Sequence, residues 1–346
     1  MDVRPKTSVQ QTDYAGKMVR VVLLGAGAAG LRHGRAMRAL PHACQVTGVY
    51  DHDGEAAREL AHTLNVPVVE ALEAEMEHAE AAVVCGALEH RPNLTRRALE
   101  RGLDVLVEPP LAASADLAHG LLSAIVRSPR RPVAMVAFDQ HFDPAVRELR
   151  ALVGDQRILS ISTERLDPAV VAGPTPDTDV VHDLMQQDIQ FVLALSGETI
   201  AATQAAGRRI RQHGPVDHAH ALLVMEDDLV ASLVASRAGA ARQRRLTVIT
   251  QQVHVTADLD ARTVEAVRTT AAAGGRHDAV TQRVVVAPHD PTVAQAEAFL
   301  RCVERRITPD VGIGTAIACQ EAAMAILKRV ELVAHRPATR RGPMAA

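Results

Sequence analysis

The chain has no tryptophan, an aromatic content of 2 % and two tyrosines, Tyr14 and Tyr50, as its only phenols. Its four cysteines, Cys44, Cys85, Cys302 and Cys319, show no C-x-x-C pairing and no histidine at zinc spacing. Buried reduced thiols are expected, and no metal centre. The sixteen histidines are scattered, and His218 and His220, in a loop-to-strand segment, have no acids at ligand spacing. No apolar run approaches the roughly 18 residues of a membrane span. The opening MDVRPKTSVQQTDYAGKM lacks the apolar core of a leader, so a flexible arm over 1–17 and a cytoplasmic location are expected. Net charge is −3, with basic residues spread along the chain; nothing is arranged to neutralise a phosphate backbone, which excludes nucleic acid as the expected partner. The scarcity with most consequence is lysine: there are three, Lys6, Lys17 and Lys328. Two lie in the arm and one near the end of the last predicted helix, so an active site cannot easily draw an amine from them.

What is present describes a globular chain. With 346 residues, 47 % of them hydrophobic and 23 % charged, it is long enough for two domains. Val19–Leu24 is an apolar run bounded by glycine, which predicts a buried parallel strand. Gly25-Ala26-Gly27-Ala28-Ala29-Gly30 follows, then an Ala-, Leu-, Met- and Arg-rich helical segment, then a strand over Gln45–Tyr50 that ends in Asp51. In this G-x-G-x-x-G pattern Gly25 permits a tight turn, Gly27 lets the backbone approach a pyrophosphate, and Gly30 lets helix and strand pack closely. The helix N-terminus offers free N–H groups to the phosphates. A carboxylate at Asp51 accepts from ribose hydroxyls and repels a 2′-phosphate, which favours NAD over NADP.

The alternation continues through a helix over Gly54–Leu64 with Asp53 as cap, strands at Val66–Val69, Ala81–Cys85, Asp104–Val107 and Val133–Ala137, and helices at Pro92–Arg101 and Ser114–Arg127. This predicts a doubly wound Rossmann dinucleotide-binding domain over 18–137, with ligands at the carboxyl ends of its strands. After Phe138 the pattern changes. A helix over Pro144–Val153 capped by Asp143, a strand over Ile158–Leu166, a Pro-rich loop Asp167–Asp177 and a helix over Val180–Leu195 lead into hairpin-like strands from Thr199 to Ala287. Helices near Val293–Glu304 and Gly314–His335 close the chain. The expected fold is α/β, with the Rossmann domain followed by an α+β domain (138–335) built on a large, mainly antiparallel open sheet. The last helix is expected to pack back on the Rossmann domain, and a flexible tail to occupy 336–346. The open sheet needs a cover, and a second copy is the simplest, so a homodimer or homotetramer through the C-terminal sheet is expected.

On GAGAAGLRH, ALERGLDVLVEPPLA, VAFDQHFDPAV, VVHDLMQQDIQFVLALSG and ITPDVGIGTAIACQEAAMAI the chain resembles the Gfo/Idh/MocA family of nicotinamide-dependent sugar and cyclitol oxidoreductases, from about Val19 to Glu331. LMxxD and LVASRAGAARQRRLTVIT are most similar to the branch acting on nucleotide-linked sugars. The resemblance implies a cofactor contact set of Gly25, Ala26, Gly27, Ala28, Ala29, Gly30, Asp51, His52, Cys85, Gly86, Glu108 and Pro109. It also implies where the chain departs. The family's Glu-Lys-Pro is Glu108-Pro109-Pro110 here, so its catalytic lysine falls on Pro109, which has neither an amine nor a backbone donor. The family's Asp-x-x-x-His becomes Asp183 and Gln187, the histidine replaced by an amide that exchanges no proton near neutral pH. The family's Thr-Pro is Gly86-Ala87, and its next histidine falls on Arg91.

Removing a hydroxyl proton as hydride departs needs a base, worth about a hundred- to ten-thousand-fold in rate. With lysine and histidine both lost, Asp183, His182 and Gln187 are the catalytic candidates. Asp183 and Gln187 lie one helical turn apart on one face, while His182 points about 100° away. Arg91, His141, Asp183 and Gln187 are the substrate-binding candidates; His90 near Arg91 is solvent-exposed or reaches an anion. His33 and Asp188 read as structural. Three readings follow: an NAD-dependent oxidoreductase on a sugar, nucleotide-linked sugar or other small polar substrate; a non-redox enzyme of this fold performing elimination, epimerisation or hydrolysis with bound NAD; and a catalytically silent binder that senses NAD or a sugar.

Overall fold

The computed structural model describes residues 18–128, 130–168, 178–210, 214–271 and 277–332. The predicted arm, the predicted tail and most of the Pro-rich loop lie outside them. The chain forms two compact units, Met1–Ala137 with Thr292–Ile313, and Phe138–Pro291 with Gly314–Ala346.

In the first unit β1 (Val19–Leu24), β2 (Cys44–Tyr50), β3 (Ala81–Val84), β4 (Asp104–Val107) and β5 (Ala134–Val136) form a parallel sheet in the order β2-β1-β3-β4-β5. Strands buried on both faces must be apolar throughout rather than alternating, and AAVV of β3 and DVLV of β4 are buried at every position. The intervening helices are α1 (Ala28–Arg38), α2 (Gly54–Leu64), α3 (Leu72–His78), α4 (Arg91–Glu100) and α5 (Ala115–Arg127). Asp53 caps α2 by accepting from the N–H groups of Glu55 and Ala56, and Ser114 caps α5. The predicted strand at Val66–Val69 is reduced to a single parallel bridge between Val49 and Val68; Pro67 has no N–H to extend a ladder.

The second unit begins with a 3₁₀ turn, Asp139–Phe142, and α6 (Pro144–Val153), whose cap Asp143 accepts from Ala145 N–H. After β6 (Ile158–Leu166) comes a π-helical turn, Val181–Met185, that runs into α7 (Gln186–Ser196), which stops at left-handed Gly197. The predicted single α-helix over Val180–Leu195 is thus interrupted at its start. Strands β7 (Ile200–Arg208), β8 (His218–Met225), β9 (Val230–Ser236), β10 (Gln243–Thr250), β11 (Val253–Asp258), β12 (Thr263–Ala271) and β13 (His277–Val285) follow, so His218 and His220 are strand residues. Then come α8 (Pro291–Arg305), α9 (Ile313–Arg329) and β14 (Val330–Leu332).

The nine-stranded sheet has the order β13-β12-β11-β10-β6-β9-β8-β7-β14. Only β6–β9 and β7–β14 are parallel, in keeping with the mainly antiparallel sheet predicted. One expectation is corrected. The last helix ends at Arg329, six residues short of His335, because the chain extends there to pair with β7. The segment Thr292–Ile313, which carries most of α8, belongs to the first unit, where Val311 O accepts from Val136 N–H and Arg306 pairs with Asp104.

One face of the sheet carries buried Ala221, Leu223, Leu233, Leu246, Val248 and Val255 beneath α6 and α7. The same face holds an ion pair, Arg165 on β6 with Asp188 on α7, at 2.7 and 2.9 Å, each side chain 4 % exposed. Gln140 takes a further Arg165 donor. The opposite face presents exposed Leu222, Val230 and Ile249 among Ser162, Ser232 and Thr247. All four cysteines are free and buried.

Candidate active site

The glycine loop separates packing glycines from a glycine that faces space. A Cβ on Gly25, whose φ is +130°, would lie 2.2 Å from Gly86 N, and one on Gly30 would lie 2.2 Å from Gly25 O. Both positions exclude a side chain because β1, β3 and α1 pass too closely. A Cβ on Gly27 would meet nothing within 4 Å. Gly27 is also the N-cap of α1 and supplies no side-chain bond to its first N–H groups. An open cradle at a helix N-terminus, where unsatisfied N–H groups and the positive dipole end converge, fits a pyrophosphate. Ala28 and Ala29 form the first positions of that helix.

Asp51 stands at the carboxyl end of β2 beside this loop. Its Oδ2 accepts from Ala26 N–H at 2.7 Å and its Oδ1 from Asp53 N–H at 2.9 Å. Each oxygen retains a lone pair for a ribose hydroxyl. The His52 ring packs on His90 at 3.9 Å between centroids, with Tyr50 against its edge. Cys85 is buried and donates weakly to Gly25 O at 3.4 Å. Burial, then the Glu108 charge, pushes its thiol above the ordinary range, so it serves packing rather than nucleophilic chemistry.

Glu108, at the end of β4, is the anchor of a cationic ring. Its Oε1 lies 2.6 Å from Arg32 Nη2 and 2.6 Å from His33 Nε2, with His33 1 % exposed. Burial raises the Glu108 carboxyl, but the bond and charge of His33 and the charges of Arg32 and Arg91 outweigh it and hold it below its usual range. Arg91, the expected substrate ligand, donates from Nε and Nη2 to Gly86 O and from Nη1 to Pro110 O. It ties the loop after β3 to the loop after β4, with Pro109 inside the tie. A cavity of about 790 Å³ opens at the other, amino, ends of β1 and β4. Three of its four arginines, Arg20, Arg101 and Arg306, pair with Glu80, Glu77 and Asp104, so its charges are largely balanced.

In the second unit the π turn gathers Asp179, His182, Asp183 and Gln187. Asp183 Oδ2 pairs at 2.8 Å with Nη2 of Arg237, a residue just past β9 that is 1 % exposed. Arg237 Nη1 lies 3.5 Å from buried Asp217, whose carbonyl also accepts from Arg237 N–H. His182 Nδ1 lies 2.9 Å from Asp179 Oδ2. Gln187 Oε1 is buried with no hydrogen-bond partner among the described residues. His141 is enclosed: its Nδ1 is 2.9 Å from Gln190 Nε2 and its Nε2 is 3.4 Å from Arg150 Nη1. Sequence reasoning missed Asp179 and Arg237. Asp179 was legible as an i, i+3 partner of His182; nothing in the spacing joins Arg237 to Asp183, fifty-four residues earlier. Among the described residues no three His, Cys, Asp or Glu side chains converge as a metal site, and no helix is long and apolar enough to cross a membrane.

Residues 19–138 match the model of the Gfo/Idh/MocA oxidoreductase family, NAD-binding Rossmann fold. The match is confined to the dinucleotide-binding domain, residues 19–138 of 346, which is similar to the NAD-binding domain of that family. NAD is the cofactor of this domain, and the open cradle at Gly27 with Asp51 beside it fits that ligand. The UDP-N-acetylglucosamine 3-dehydrogenase of Acidithiobacillus ferrooxidans is 25 % identical over 287 residues, 82 % of this chain and 88 % of that one. Its structure superposes with a TM-score of 0.82 at 23 % identity, over 91 % of this chain and 98 % of that one. Myo-inositol dehydrogenase Hyg17 of Streptomyces leeuwenhoekii is 28 % identical over 231 residues, 63 % of this chain and 69 % of that one. A levoglucosan dehydrogenase in complex with NADH shares the fold at a TM-score of 0.80 and 16 % identity, over 90 % and 97 % of the two chains.

Proposed function

We propose that this protein is an NAD-dependent oxidoreductase of a sugar-like alcohol, with a nucleotide-linked sugar the favoured substrate class and an acid–base apparatus different from the family's. The observation that carries the reading is the glycine cradle: Gly25 and Gly30 are demanded by packing, whereas Gly27 is demanded by nothing inside the protein. A glycine kept against open space at a helix N-terminus is explained by a ligand whose phosphates approach the backbone. The resemblance in sequence to a UDP-N-acetylglucosamine 3-dehydrogenase over 82 % of the chain supports the substrate class. When bound, NAD supplies the two-electron acceptor. The chain's own residues hold it through Gly25–Gly30, Asp51 with His52, and the Cys85-Gly86 and Glu108-Pro109 turns. Asp183, braced by Arg237, and Gln187, whose buried Oε1 lacks a partner, are the groups that bind and orient substrate hydroxyls. In solution the exposed Leu222, Val230 and Ile249 are covered by a second copy, giving a homodimer or homotetramer through the open sheet face.

The test is to denature freshly purified protein, identify any released nucleotide, and follow NAD reduction with UDP-N-acetylglucosamine and with myo-inositol. Asp183→Asn is expected to lower turnover by at least about tenfold while NAD still binds. A protein that neither carries nor binds NAD refutes the proposal. Pro109 in the lysine position favours a second reading, a silent NAD or sugar sensor; binding of NAD with no turnover on any alcohol or ketone would establish it.

A further inference from the structure

The oxidoreductase reading leaves open which group takes the hydroxyl proton. Resting on that reading, we infer that Asp179 and His182 form the proton-accepting pair of this chain, with Asp179 the positioning residue and His182 Nε2 the acceptor. The two oxygens of Asp179 divide their work. Oδ1 accepts from the N–H groups of Val181 and His182, at 3.0 and 2.9 Å, and so caps the π turn. Oδ2 lies 2.9 Å from His182 Nδ1. An ionised carboxylate only accepts, so Nδ1 carries the hydrogen, and it is on Nε2 that a lone pair is presented whenever the ring holds a single proton. The carboxylate is held below its ordinary range, burial being outweighed by the His182 and Val181 donors. His182 Nε2 has no partner among the described residues, and the side chain is 24 % exposed. The ring is therefore oriented by its backing group yet reachable on its working edge, the arrangement of an activated base held by a third group.

The neighbours are less suited to accept a proton. Asp183 Oδ2 is engaged by Arg237, and the Gln187 amide exchanges no proton. Lys328 stands at the end of α9. In the step itself the substrate O–H bond breaks and an N–H bond forms at Nε2, leaving an imidazolium against Asp179. When bound, oxidised NAD would supply the acceptor for the carbinol hydrogen and its electron pair, so that the alcohol would become a ketone. In reduction the same Nε2–H returns its proton to the forming alkoxide.

Asp179→Asn tests the pair without removing the cap, since asparagine caps as well as aspartate. Its amide hydrogens would face Nδ1 and force the ring hydrogen onto Nε2. Long-range ¹H–¹⁵N spectra of the NAD-free protein should show His182 with hydrogen on Nδ1 in the wild type and on Nε2 in Asp179→Asn. With a substrate the wild type turns over, kcat of the variant should fall by about a hundredfold or more, with KM and NAD affinity little changed. His182→Ala should regain part of its lost turnover with added imidazole. A wild-type ring protonated on Nε2, or an unchanged kcat in a folded Asp179→Asn, overturns the pair. Failure of the wild type to bind NAD overturns the oxidoreductase reading instead, and the tautomer spectra judge the pair separately.

Discussion

Gly27→Ala should leave the fold standing and damage cofactor binding alone. The new methyl meets nothing within 4 Å, and the backbone at φ −74°, ψ −167° is open to any residue. Two small effects on stability oppose each other. Alanine restricts the unfolded chain, worth about 0.4–1 kcal/mol in favour of the fold. It is a poorer N-cap than glycine, by roughly 0.5–1 kcal/mol. The net change stays within about 1 kcal/mol, a few degrees in Tm at most for a domain of this size. The methyl does, however, occupy the space a pyrophosphate needs. Overpacking of that kind costs about 1–3 kcal/mol, which weakens NAD binding by about 5- to 150-fold. Thermal melts with and without NAD, together with calorimetric Kd values, separate the two effects. Gly30→Ala, whose Cβ would strike Gly25 O at 2.2 Å, supplies the contrast: a large loss of stability before any ligand is added. An unchanged NAD Kd in folded Gly27→Ala would refute the cradle, as would a Tm loss as large as that of Gly30→Ala.

Asp51→Asn keeps an acceptor for Ala26 N–H but removes the charge, so its ratio of NADP to NAD affinity should rise by about tenfold or more; equal ratios in variant and wild type would remove Asp51 from the ribose. Arg165→Ala strands Asp188 in the core beneath α7 and should cost about 3–5 kcal/mol in chemical denaturation, whereas a loss under about 1 kcal/mol would mean that water reaches the site. Glu108 is a carboxylate held below its usual range, so its contribution is present above the unfolded pKa of about 4.3 and is lost as pH falls through the folded value. Glu108→Gln should therefore be less stable than wild type at pH 7, with the gap closing below about pH 4; a gap independent of pH would show that packing rather than charge sets it.

The first unit was legible because its signals are local. A buried parallel strand is an unbroken apolar run, the cradle is six consecutive residues, and Asp53, Ser114 and Asp143 cap helices that begin at the next residue. Where local pattern misled, a neighbour or a single residue decided otherwise. Pro67 denied Val66–Val69 its ladder, and pairing with β7 drew the last segment out of its helix. Asp188 read correctly as structural, although its partner Arg165 could not be named from spacing. Arg91, a substrate-binding candidate by its place in the motif, also donates to Gly86 O and Pro110 O, carbonyls that no sequence pattern exposes.

The sequence by itself determined the order of elements, the dinucleotide cradle with its terminal acid, and the presence of Pro109 and Gln187 where the resemblance implies a lysine and a histidine, because each is written in residues adjacent in the chain. Only the tertiary structure decided how the remaining groups are arranged. The π turn sets the direction of His182, and β9 delivers Arg237 to Asp183 from fifty-four residues away. Hydrogen-bond geometry and the return of distant strands are properties of the folded chain, and the arrangement of His182 and Asp183 depends on both.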